Sequence, residues 1–192
     1  MEDFVQADQI FRMFEQSLTE LGQAVARMDA LQVQASVAEI AVANRIALYG
    51  VGREGLQIRG LAMRLYHLGL DAHMVGDMNC PPLGSGDLLI CSAGPGAFST
   101  VEALMRVARH DGASTLLVTA QQQAACAALA DTVLVVPAQT MADDQAPSTS
   151  ILPMGSLYEG ALYLLFEMLV LSLRQKLSVD PGAMRKRHTN LE

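Results

Sequence analysis

The chain has 192 residues, a length that fits one domain, and 51% of them are hydrophobic, enough to bury a sizeable core. Charged residues make up only 17%, the formal net charge is −7, and no long basic run occurs, so nucleic acid is not an expected partner. No unbroken apolar run reaches the ~18 residues of a membrane span; Ala161–Leu173 comes closest and Glu167 interrupts it, so no membrane partner is expected either.

The low charge predicts that part of the surface is itself covered, as in an oligomer. Cys80, Cys91 and Cys126 show neither metal-ligand spacing nor an even pairing framework. Cys91 and Cys126 lie in apolar runs and read as buried thiols, which suits a reducing cytoplasm. The acidic start Met1-Glu2-Asp3 is no secretory signal. Arg185-Lys186-Arg187 reads as a solvated helix end.

Along the chain, residues 4–44 carry helical periodicity. Phe4, Ile10, Phe11, Phe14, Leu18, Leu21, Val25 and Met28 form one stripe, and Asp29 is placed to cap a second helix through Ala43. The period then changes. Ile46–Val51 is a short apolar run closed by glycine, the pattern of a buried strand, and Leu56–Leu68 is helical. Ala72–Val75, Leu88–Cys91, Leu116–Val118 and Val133–Val136 are further strand-like runs, and helices are expected over Ser99–Arg109 and Gln121–Leu129. This alternation predicts an α/β chain with a doubly wound, five-stranded parallel sheet behind N-terminal helices. Residues 137–155 form a long loop with Pro137, Pro147 and Pro153, a length usually tied to function or disorder. Helices Ser156–Leu177 and Asp180–His188 follow. The whole chain, 1–192, reads as one domain: a helical segment 1–44, then an α/β core with C-terminal helices over 45–192.

Gly50-Val51-Gly52-Arg53-Glu54-Gly55 follows a strand and opens a helix. Glycines there let the backbone approach a ligand, and the helix start offers free N–H groups to an anion. The spacing also matches a dinucleotide fingerprint, with Asp71 or Asp77 as the expected distal acid, or a tight turn with no ligand. Ser92-Ala93-Gly94-Pro95-Gly96-Ala97-Phe98-Ser99-Thr100 is a second strand-to-helix loop. In a doubly wound sheet both loops line one crevice at the carboxyl ends of the strands. Ser99 or Thr100 can also serve as a helix cap. Ser156 to Glu159 has the Ser-x-x-Glu spacing of a capping box. His188 alone would be an exposed tail residue, and Asp143 and Asp144 solvated turn residues.

These motifs together resemble the sugar isomerase (SIS) fold and, within it, the 6-phospho-3-hexuloisomerases. That family's chains end in a similar Arg-His-Ala-Asn-Leu-Glu; this one ends Arg187-His188-Thr189-Asn190-Leu191-Glu192. The likeness extends to Ala62-Met63-Arg64-Leu65, His67-Leu68-Gly69, Val75-Gly76, Pro81-Pro82, Gly86-Asp87-Leu88 and Pro153-Met154-Gly155-Ser156-Leu157. The resemblance implies interconversion of 3-hexulose 6-phosphate and fructose 6-phosphate by proton transfer through an enediol, with no metal and no organic cofactor. It implies a homotetramer with active sites built partly from neighbouring subunits. Glu159 and His188 would be the acid–base pair, with Arg53 at the mouth of the first loop. Gly50, Gly52, Arg53, Glu54, Ser92, Gly94, Gly96, Ser99 and Thr100 would line the sugar or sugar phosphate.

The chain departs from that pattern in its glycine loops. Glu54 replaces the serine of Gly-x-Gly-Arg-Ser-Gly. Ala93, Pro95 and Ala97 replace two serines and the glutamate of Gly-Ser-Gly-Ser-Gly-Glu-Thr. Each lost hydroxyl bond to a phosphate is worth about 1.5–3 kcal/mol, and a carboxylate about 4 Å from a phosphate adds up to roughly 4 kcal/mol of repulsion at intermediate dielectric. Two other readings therefore stand beside the hexuloisomerase one. One is an enzyme on an unphosphorylated or differently charged sugar, with Glu54 bonding hydroxyls. The other is a non-catalytic sugar-phosphate-binding module.

Overall fold

The computed structural model describes residues 6–145, 148 and 150–191; Phe4 of the expected N-terminal stripe, Pro147 of the long loop and the terminal Glu192 lie outside the described residues. Helices α1 (Ala7–Ala26) and α2 (Ala30–Val42) precede the sheet. Asp29 caps α2 as expected, its carboxylate accepting from the Leu31 N–H at 2.8 Å. The strands are β1 (Ile46–Gly50), β2 (Ala72–Met74), β3 (Leu88–Ser92), β4 (Ser114–Thr119) and β5 (Thr132–Val135). All pair in parallel, in the order β2-β1-β3-β4-β5. Between them run α3 (Gly52–Leu68) and α4 (Ser99–His110), and α5 (Ser156–Lys176) and α6 (Pro181–Lys186) end the chain.

The strands are apolar throughout because both faces of the sheet are covered. Alternate residues divide between two cores. Ile46, Leu48, Leu88, Ile90, Leu116 and Val118 meet α2, α3 and α5 through Ile40, Leu61, Leu65, Leu162 and Phe166. Ala47, Leu89, Cys91, Ala93 and Leu117 meet α4 through Val101, Met105 and Ala108. Cys91 and Cys126 are buried as expected, and burial pushes the Cys91 thiol far up from its usual range.

Two expectations need correction. Only Cys126–Leu129 of the helix expected over Gln121–Leu129 is helical, as a single 3₁₀ turn. The Cys126 N–H goes to the Gly96 carbonyl instead of back into a helix, and the Thr119 hydroxyl takes the Gln121 N–H, which starts a turn there. Second, α5 is long and apolar enough to cross a bilayer by length and composition, although Glu167 interrupts its run. One side of it lies in the core, where Leu157, Ala161, Leu162, Leu165, Phe166, Leu169, Val170 and Leu173 are buried, while Tyr163, Leu164, Met168 and Leu171 on the other side are exposed. Glu167 is paired with Arg64 of α3 by two bonds of 2.9 and 3.0 Å.

The N-terminal stripe divides in two. Leu21 and Met28 pack on the core. Phe11, Phe14 and Leu18 stay exposed, at 68%, 62% and 68%. Helix α1 also fastens the chain ahead of α5, since Glu20 accepts the Ser150 hydroxyl and the Ile151 N–H.

Candidate active site

Strands β1 and β3 are sheet neighbours, and their last residues, Gly50 and Ser92, are register partners. From there α3 turns onto one face and α4 onto the other, which opens a crevice between the two strand ends. The glycines of the first turn have separate jobs. A Cβ on Gly55 would lie 2.5 Å from the Gly50 carbonyl oxygen, so Gly50 and Gly55 allow strand and helix to touch. Gly52 has φ +56 and open space around it, so it bends the chain into α3.

Glu54, in the first turn of α3, points into the crevice and is only 8% exposed. Its Oε2 accepts the Ser92 hydroxyl at 2.7 Å and the Gly94 N–H at 2.9 Å. The Ser92 hydroxyl lies 3.2 Å from that of Tyr158 in α5, which is fully buried. Ser92 has one proton and gives it to the carboxylate, so the Tyr158 hydroxyl donates to Ser92. The three side chains tie α3, β3 and α5 together. Burial raises the Glu54 carboxyl above its usual range, against the pull of Gly94 and Ser92. Burial also drives the Tyr158 phenol up, with the Glu54 charge adding to it.

Arg53 turns the other way. Its Nε lies 3.1 Å from Glu159 Oε1, and its Nη1 donates to the Ser156 hydroxyl at 3.1 Å. Its Nη2 donates to the Met154 carbonyl. Met154, at φ 53, and Gly155, at φ 82, carry the loop into α5 through two left-handed residues, a strained entry for methionine that Arg53 helps to hold. Burial raises the Glu159 carboxyl; Arg53 opposes this and Glu54 adds to it. A carboxylate held above its usual range beside a guanidinium can exchange a proton while the cation polarises a carbonyl.

The remaining predicted residues are spread unevenly. Gly94 is buried with no room for a side chain: a Cβ there would lie 2.8 Å from Tyr158 and 2.9 Å from Glu54 Oε1. Gly96, at φ +100, turns the second loop. Ser99 and Thr100 are exposed in the first turn of α4 and do not cap it; the N-cap is Phe98. The capping box expected at Ser156 is also not formed. The N-cap of α5 is Gly155, one residue earlier, and the Ser156 hydroxyl serves Arg53 instead. Asp143 is a turn residue as expected, its Oδ1 accepting the Thr140 N–H and hydroxyl. His188 lies beyond α6, its ring stacked on His67 at 5.2 Å between centroids. His67 is near the far end of α3, about 20 Å along the helix from Glu54. Within one subunit the structure therefore brings Glu54, Ser92, Gly94, Arg53 and Glu159 together and leaves His188 apart. Tyr158 is the contributor that sequence reasoning passes over, because an aromatic beside Leu157 reads as core.

No family model matches the chain. The 3-hexulose-6-phosphate isomerase of Mycobacterium gastri is 34% identical to it over 173 residues, 90% of this chain and 86% of the relative. The chain belongs to the 3-hexulose-6-phosphate isomerase family. The isomerase of that name from Bacillus subtilis is 30% identical over 91% of this chain and 95% of its own. Among solved structures, a hypothetical protein of Methanococcus jannaschii, with an inferred molecular function of 3-hexulose-6-phosphate isomerase, superposes with a TM-score of 0.79 at 23% identity. It covers 96% of this chain and 99% of its own, and it supports the SIS fold. As a member of the isomerase family, the chain is an enzyme.

Proposed function

We propose that this isomerase interconverts an aldose and a ketose, or two ketoses, by enediol proton transfer, with 3-hexulose 6-phosphate and fructose 6-phosphate as the default pair. The pairing of Glu159 with Arg53 at the mouth of the crevice carries the reading. The carboxylate moves the proton between adjacent carbons, and the guanidinium steadies the charge that develops on oxygen. His188 joins this site from a neighbouring subunit of a homotetramer. The exposed Phe11, Phe14 and Leu18 of α1 support such an assembly, and light scattering checks it: a monomer at micromolar concentration rules it out.

A second reading, an unphosphorylated or differently charged sugar, is favoured by the Glu54 carboxylate on the Gly94 N–H. Assays of 3-hexulose 6-phosphate, fructose 6-phosphate and unphosphorylated ketoses side by side separate the two. Turnover of the phosphorylated pair with exchange of the transferred proton into solvent is the expected result. Unchanged turnover after Glu159→Gln overturns the proposed chemistry.

A further inference from the structure

The crevice contains an anion that belongs to the protein. Gly94 N–H and the Ser92 hydroxyl are donors at the end of a strand, in a glycine-rich strand-to-helix loop, the arrangement that receives a ligand's phosphate or carboxylate elsewhere. Here both converge on Oε2 of Glu54, at 2.9 and 2.7 Å. Among the described residues these partners are neutral, and the adjacent guanidinium of Arg53 is committed to Glu159. Tyr158 orients Ser92 from behind, so the donor set is fixed before any ligand arrives. Gly94 has no side chain to push the carboxylate out, and any Cβ there would collide with it.

We propose that Glu54 is a specificity-determining residue: its carboxylate occupies the anion cradle of the second loop, so the ligand group that rests there is a sugar hydroxyl and not a phosphoryl group. Oε1 keeps lone pairs for such a hydroxyl. A phosphoryl group would compete with Glu54 for the same two donors and meet its charge without an intervening cation. The inference rests on the reading that this crevice is the sugar site, and it names the class of substrate end the site takes.

The test titrates wild type and Glu54→Ser with inorganic phosphate and with fructose 6-phosphate, following the Gly94 amide by NMR. In wild type, phosphate leaves that amide unmoved. Glu54→Ser frees both donors, and both probes bind at least about tenfold tighter while shifting the Gly94 signal. A folded Glu54→Ser with no gain overturns the proposal. If the variant does not fold, wild type decides alone: a phosphate-dependent shift at Gly94 overturns the proposal, and an unmoved amide supports it. The site reading fails separately, when Glu159→Gln keeps full turnover.

Discussion

Glu54 and Glu159 lie close to the starts of α3 and α5, third in one helix and fourth in the other. Each sits in the first turn of a helix entered through a left-handed glycine, Gly52 in one case and Gly155 in the other. Burial raises the carboxyl of both. Their partners differ. Glu54 faces inward and is held by a backbone N–H and a hydroxyl that cannot leave. Glu159 faces the mouth and is held by an arginine whose side chain is half exposed. The two acids thus differ in setting: Glu54 is held by the frame through one oxygen, and Glu159 is held by an ion pair.

The largest effects are expected from neutralising each acid without changing its shape. Glu159→Gln should lower kcat by about 10²–10⁴-fold and change the melting temperature little, since glutamine keeps the shape and a hydrogen-bond acceptor for Arg53, whose side chain is half exposed. His188→Ala should cost about 10²-fold in kcat if the tail completes a neighbour's site; unaltered kcat would leave Glu159 as the sole acid–base group. Next in size is a stability effect at Glu54. Glu54→Ala leaves the Ser92 and Gly94 donors buried without their acceptor and should destabilise the fold by about 1–3 kcal/mol in a urea melt; the loss should be smaller for Glu54→Gln, which keeps an acceptor oxygen.

The smallest effect is on pH dependence. The folded chain holds the Glu54 proton more tightly than the unfolded chain, whose carboxyl titrates near its ordinary 4.5. That contribution to stability is fully present below 4.5 and is lost as pH rises through the higher folded value. Subtracting the pH profile of Glu54→Gln from that of wild type should leave this downward slope. A flat difference would mean that Glu54 is not desolvated.

Much of this molecule was legible in its residues. Short apolar runs located all five strands, and their alternation with helices the doubly wound parallel sheet. The crevice was legible too, because both glycine loops follow strands. What periodicity could not show was partnership. Ser156 and Glu159 have capping-box spacing, yet Arg53, distant in sequence, takes both side chains. Glu54 could have faced solvent from the first turn; only the return of β3 beside β1 supplies Ser92 and Gly94. The missing turns of the helix after β4 have a similar cause, a carbonyl at Gly96 that outcompetes local bonding. His188 is a different case: the structure stacks it on His67, far along α3 from Glu54, and the proposed role needs a second subunit.

At Gly50 and Gly55 strand and helix touch directly. Backbone meets backbone there, so any side chain at position 55 would drive β1 and α3 apart, whatever the protein binds. Gly52 has open space, and its φ of +56 lies within reach of asparagine or aspartate. A mutational library sorted only for soluble expression should therefore reject almost every replacement at 55 and most at 50, yet pass several at 52. Sorted for turnover, the same library should show what Gly52 does beyond making the bend. One three-glycine motif would then separate into an architectural pair and a single adjustable position, open to redesign without loss of the frame.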